Sequence, residues 1–211
     1  MTAQAAFPIT VPVLAAHTWP SNGHLIADLV GVHQLDSYTK WIDPTYGRGT
    51  WWTIWQPDNL ATHDLAEDGV DFRQLPYPDS TFDAAAFDPP YVSRGGRTTA
   101  GAALTDTNDR YGLVDAPRTP AGVQQLINDG LTELHRVVKH RGLVLVKCQD
   151  YITSGGFWPG AILTVNHALS AGFRLVDRAV FVQQSVRPQP HDSQKHLRRN
   201  VSDLLILRRD R

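Results

Sequence analysis

The chain is poor in sulfur: its 211 residues include one cysteine, Cys148, and one methionine. A lone thiol excludes a disulfide framework and a cysteine-rich zinc site, and it fits a reducing compartment. Surplus charge is scarce too, because 20 Lys and Arg face 21 Asp and Glu for a net charge of −1. Attraction of a polyanion through bulk charge is thereby excluded, and any nucleic-acid contact needs a local patch. No apolar stretch approaches the roughly 20 residues that span a membrane. Met1 to Leu14 lacks the basic start and continuous apolar segment of a signal peptide. The nine histidines show no metal-ligand spacing, so no metal is expected. There is no internal repeat, and the length suits one α/β domain, expected over 1–211.

Against these absences stand 14 prolines and six tryptophans. The most informative prolines are in Asp88-Pro89-Pro90-Tyr91, which follows the apolar run Phe82 to Phe87. Two prolines remove two backbone N–H donors and fix φ twice, and each pushes its predecessor toward extended geometry. The result is a stiff loop with a carboxylate at its entrance and an aromatic ring at its exit. Such a loop can hold a planar, amino-bearing group: the carboxylate and a proline carbonyl accept its N–H bonds and the ring stacks on its face. The plainer alternative is a strand end and a Pro-Pro turn.

Periodicity places this loop in an alternating pattern. After an arm with Pro8, Pro12 and Pro20, Ser21 or Asn22 caps a predicted helix to about Leu35, so that 1–38 reads as arm and helix. Strands are predicted over Thr39–Ile42, Leu60–His63 and Phe82–Phe87, ending at Asp43, Asp64 and Asp88. Trp51 and Trp52 follow the turn Pro44 to Gly49, where a helix is expected to pack on the sheet, and core packing is the favoured role of both rings. A helix is predicted from Pro120 to about Lys139, then a strand Leu143–Val146 ending at Lys147 and a helix Gly160–Ser170. Phe173–Phe181 and Val201–Leu207 have no helix between them and read as an antiparallel pair at one edge. The fold class is therefore α/β, a mostly parallel sheet with helices on both faces. Segments 92–118 and 183–200 read as loops.

In an open α/β sheet, ligands sit beyond the carboxyl ends of the strands. Four such positions are acidic here: Asp43, Asp64, Asp71 and Asp88. Gly47 and Gly49 let the first turn approach a ligand with backbone alone. The Gly-x-Gly spacing lacks a third glycine, and Asp43 beside it repels a pyrophosphate, which disfavours a nicotinamide-dependent oxidoreductase. Asp64 can accept two ribose hydroxyls; Asp71-Phe72 can bind an adenine amino group and contact its ring. An adenosine with a cationic amino-acid tail fits the set: S-adenosylmethionine. Each Asp singly also suits a turn or a helix cap.

On these residues the chain resembles the S-adenosylmethionine-dependent amino-methyltransferases of nucleobases, with Asp43 to Thr50 similar to the cofactor loop and Asp88 to Tyr91 to the catalytic loop. More narrowly it is similar to small stand-alone DNA methyltransferases of actinobacteria and their phages, which share segments like Trp19 to Ile26, Lys147 to Tyr151 and Arg187 to Pro190. The resemblance implies a Rossmann-like class I methyltransferase fold and transfer to adenine N6 or cytosine N4 of duplex DNA, with the target base flipped out. It assigns Asp88, Pro89, Pro90 and Tyr91 to catalysis. Asp43, Pro44, Tyr46, Gly47, Gly49, Thr50, Asp64, Asp71 and Phe72 go to the cofactor. Arg94, Arg97, Lys147, Arg187, Lys195, Arg198 and Arg199 are candidate substrate contacts. An RNA substrate, guanine N2 or adenine N6, and a binding module that kept the fold without catalysis remain open alternatives. No membrane partner is expected; a homodimer is compatible, and the expected location is a bacterial host's cytoplasm.

Overall fold

The structure is a computed structural model that describes residues 19–90, 117, 119–153, 156–183, 196–197 and 200–210. Eight strands are seen among them: β1 Trp41–Asp43, β2 Leu60–Thr62, β3 Phe82–Phe87, β4 Val138–Cys148, β5 Tyr151–Thr153, β6 Gly156–Trp158, β7 Phe173–Val182 and β8 Val201–Arg209. The helices are α1 Asn22–His33, α2 Pro120–Val137 and α3 Gly160–Ser170. Six strands form one sheet in the order β2-β1-β3-β4-β8-β7. The first four run parallel, and β8 pairs antiparallel with both β4 and β7. The expected Rossmann-like sheet with an antiparallel edge hairpin is thus present, with the last strand inserted inside β7. A separate small hairpin, β5–β6, was not legible in the sequence.

Local chemistry sets the helix limits. Ser21 caps α1 by accepting from the His24 N–H, and α1 stops where Gln34 turns left-handed at φ 51°. Thr119 caps α2 through the Gly122 N–H, with Pro120 at the first helical position, where its missing donor costs nothing. The helix ends two residues before the predicted Lys139. Val138 suits the helical spacing, but its backbone is extended and pairs with Phe82, so the chain passes from α2 into β4 without a loop. A register shift follows, with Arg141 at φ 65°. A Cβ on Gly142 would lie 2.6 Å from the Asp83 carbonyl oxygen, so this bulge accepts no side chain there. The helix expected after Gly49 is only a 3-10 turn, Thr50–Trp52. Thr53 and Ile54 are β-branched, and Pro57 removes a donor soon after.

β3 is buried on both faces, and its alternate residues divide the core in two. Ala85 and Phe87 join Ile127, Leu131 and Leu134 of α2; Ala84 and Ala86 join Leu25 and Ile26 of α1 and a tryptophan group. Gly130 lets α2 come close to the sheet, since a Cβ there would sit 2.4 Å from the Phe87 ring. Arg136, in the last turn of α2, is engaged structurally. It donates to the carbonyls of Leu75 and Tyr77 and pairs with Glu133 and Asp79. No helix among the described residues is long and apolar enough to cross a membrane.

Candidate functional site

β1 lies between β2 and β3, so the chain leaves β1 in one direction and later returns on its other side. This reversal opens a crevice at the carboxyl ends of β1 and β3. Asp43 ends β1, and Asp88 follows β3 directly.

Asp43 is buried, at 4% exposure. Pro44 cannot donate, and Thr45 folds back so that its N–H and hydroxyl both donate to Asp43 Oδ1, at 2.9 and 3.2 Å. The Trp52 indole N–H donates to Oδ2 at 2.8 Å. Burial pushes this carboxyl from an ordinary 3.8 up to about 7, against the three hydrogen bonds; the nearby charge of Asp88 pushes the same way. A buried carboxylate in that condition is suited to a cationic ligand, which would restore its charge.

The Thr45 hydroxyl also accepts from the Asp88 N–H at 2.8 Å, tying the start of the Pro-Pro loop to the end of β1. The Trp51 indole N–H donates to Asp88 Oδ2 at 3.1 Å. Trp51 and Trp52 are both buried, as expected for core packing, and their polar ends serve the two carboxylates as well. Asp88 itself is half-buried, Pro89 buried and Pro90 half-buried.

The glycine turn beside Asp43 is held by the two residues that follow β2. The Tyr46 N–H donates to the His63 carbonyl at 3.0 Å, and the Gly47 N–H to Asp64 Oδ2 at 3.1 Å. Gly47 and Gly49 have φ of 51° and 64°, left-handed values that favour glycine. A Cβ on Gly49 would come within 2.6 Å of the Tyr46 hydroxyl. Asp64 Oδ1 accepts from the Ala66 N–H at 2.9 Å. The two backbone bonds use part of a carboxylate's capacity and leave room for further donors. Pro44 is buried and Thr50 exposed.

Asp71 is not at a strand end, a correction to the sequence reading. Val70 is a single apolar residue behind Gly69 at φ 75°, too little to make a strand, and Asp71 opens a turn instead. Its carboxylate takes the Arg73 N–H and a double contact from the Arg73 guanidinium, which holds it below the usual carboxylate range. Phe72 is buried edge-on against Phe87, centroids 5.2 Å apart, one residue before Asp88.

Lys147 is the penultimate residue of β4, one register step beyond the Phe87–Val146 pair and level with Asp88. It is buried rather than displayed, at 6% exposure. Its ammonium donates to Asn22 Oδ1 at 3.0 Å and lies 5.4 Å from the Phe181 ring centroid. Leu25, Ile26, Trp51 and Ser202 lie around it. Tyr91, Arg94, Arg97, Arg187, Lys195, Arg198 and Arg199 lie outside the described residues. Cys148 is buried, and burial pushes its thiol well above the usual range, away from that of a nucleophile. No group of three or more potential metal ligands occurs among the described residues.

Sequence reasoning missed Thr45 as the bridge and the two indoles as donors. The adjacency of Trp51-Trp52 to the glycine turn was the available signal, but which ring atoms meet which carboxylate depends on the packing of the turn.

No family model and no curated protein matches the chain. Among solved structures it is similar to the PvuII DNA methyltransferase (cytosine-N4-specific), with 13% identity and TM-score 0.48 over 66% of this chain and 47% of that one. A candidate DNA modification methylase of Thermus thermophilus, complexed with S-adenosyl-L-methionine, gives 13% identity and TM-score 0.45 over 66% and 53%. The [4+2]-cyclase SpnF gives 17% and 0.44 over 75% and 60%. The chain thus spans about half the length of the two methylases. At TM-scores below 0.5 these likenesses carry no functional weight.

Proposed function

We propose that this chain transfers the methyl group of S-adenosylmethionine to an exocyclic amino nitrogen of a DNA base, adenine N6 or cytosine N4. The observation that carries the reading is the meeting of Asp43 and Asp88 in the crevice between β1 and β3, bridged by the Thr45 hydroxyl. One carboxylate is buried beside a backbone turn with two left-handed glycines; the other opens a proline-stiffened loop.

The residues fit the donor by their chemistry. Asp43, ionised, would face its cationic amino-acid portion, and Asp64 has lone pairs left for ribose hydroxyls. The bound donor supplies an electrophilic methyl on a positively charged sulfur. Base amino groups are poor nucleophiles because their lone pair is delocalised into the ring. Asp88 and a carbonyl of the Pro89–Pro90 loop would accept the amino N–H bonds, which favours rehybridisation toward sp³. The N–C bond would form as the S–C bond breaks, with the electron pair left on the neutral sulfur and the proton lost from the amino group passing to solvent. Positioning and electrostatics supply the acceleration. Tyr91 would stack on the base, and the arginines and lysines of 92–118 and 183–200 would contact the DNA backbone.

The test is methyl transfer from labelled S-adenosylmethionine to unmethylated duplex DNA and bulk RNA in parallel, with product nucleosides identified by mass spectrometry. N6-methyladenine or N4-methylcytosine from DNA is expected. Label in RNA alone would move the substrate, and label in neither, with no donor-dependent rise in melting temperature, would overturn the reading. Asp88→Ala is expected to lower turnover by about 10²–10³-fold or more with donor affinity nearly unchanged.

A further inference from the structure

Trp51 and Trp52 are neighbours on one 3-10 turn, both buried, and their indole N–H groups reach carboxylates of different loops. Trp51 donates to Asp88 and Trp52 to Asp43. An indole has one donor and no acceptor, so each ring fixes the rotation of one carboxylate and can do nothing else polar. Thr45 completes the frame from the other side, through Asp43 Oδ1 and the Asp88 backbone. Packing holds the rings independently of any ligand. Trp52 sits edge-on to Trp41 with centroids 5.9 Å apart, and Trp41 and Trp55 are 5.8 Å apart. Trp51 belongs to the same buried cluster as Leu25 and Ile26 of α1. The donors of this frame are therefore anchored in the core.

We infer that the two tryptophans are positioning residues with separate duties: Trp51 orients Asp88 for the methyl acceptor, and Trp52 orients Asp43 for the methyl donor. The inference rests on the function proposed above for its readouts in catalysis, but the pairing itself is a property of the protein alone. A dipeptide within the core would then divide catalysis from donor binding, at adjacent positions in the chain.

Trp51→Phe and Trp52→Phe keep most of the ring and delete the donor. Hydrogen bonds to charged groups are worth roughly 10- to 100-fold in an equilibrium or a rate. Trp51→Phe is expected to lower kcat at saturating donor by about that factor with little change in donor Kd. Trp52→Phe is expected to raise donor Kd by a similar factor. Trp55→Phe, in the same aromatic group, controls for loss of an indole from the core and is expected to change neither. If all three variants shifted kcat and Kd alike, in step with their melting temperatures, the rings would be packing only and the inference would fail.

A second arm needs no activity. In a nitrogen–proton correlation spectrum of the ligand-free protein, Trp51→Phe and Trp52→Phe each identify one indole resonance by its loss. Asp88→Ala is expected to move the Trp51 resonance and Asp43→Ala the Trp52 resonance, each more than the other. The reverse pattern, or no selectivity, would overturn the pairing. Selective shifts together with no methyl transfer and no donor binding by the wild type would leave the pairing standing and sink the assigned duties along with the proposed function.

Discussion

On the α2 side of the sheet, Ile127, Leu131 and Leu134 pack on Phe87, Val144 and Val146, and shape and apolar area are all they contribute. On the α1 side, Leu25 and Ile26 pack with Trp41, Trp51 and Trp52, and two of those indoles also carry hydrogen bonds to the acidic strand ends. Both groups are equally dry, so burial alone does not separate a core that only holds the fold from one that also presents a site. The difference lies in the side-chain inventory. An aliphatic group has no directional valence, whereas an indole spends its area in the core and its single donor at the edge. A site built from such rings inherits the rigidity of the packing behind it.

The largest loss of stability is expected on the aliphatic side. Leu131 is fully buried, and Leu131→Ala is expected to cost about 2–5 kcal/mol of stability. Measured below its unfolding range, the variant keeps its donor affinity; a weakened donor Kd there would mean that the α2 side reaches the site after all.

The acidic side should instead declare itself through pH. Folded Asp43 keeps its proton up to about pH 7, while the unfolded chain releases it near the ordinary 3.8. Between those values the native state binds more protons than the unfolded state, so this group's contribution to stability falls as pH rises through that window and is constant above it. A cationic donor needs the ionised form, so donor affinity is expected to rise from about pH 6 to 8 and then level off, and Asp43→Ala to remove that rise. Calorimetric titration across this range checks it, and an affinity independent of pH in the wild type would remove Asp43 from the cation's site.

The smallest effect is expected at the start of α2. Thr119→Ala removes the hydroxyl that accepts from the Gly122 N–H, at a cost of about 1 kcal/mol, with turnover unaffected. Urea denaturation resolves such a difference, and a loss of turnover without loss of stability would mean that this helix start is part of the substrate surface.

Much of this molecule was legible in its sequence because the signals are local. Asp43, Asp64 and Asp88 follow short apolar runs, and a strand that ends in a charge reads the same in sequence and in space. Asp71 misled because an acidic residue after one valine resembles a strand end, while Gly69 at φ 75° and the Arg73 guanidinium make it a turn. Lys147 read as a candidate substrate contact at the end of a buried strand. Its level in the sheet was right, but Asn22 and Phe181, 125 and 34 residues away in the chain, draw it inward.

Local signals account for the alternation of strands and helices, the capped start of α1, the Pro120 start of α2, the glycine turn after β1 and the Pro-Pro segment after β3. Each follows from steric and hydrogen-bonding preferences of a few adjacent residues. Long-range packing is what inserts β8 between β4 and β7, starts β4 at Val138, and joins Asp43 to Asp88 through Thr45, Trp51 and Trp52. Those outcomes depend on which strand edge is available and on where a buried ring finds room, and both are set by residues distant in the chain.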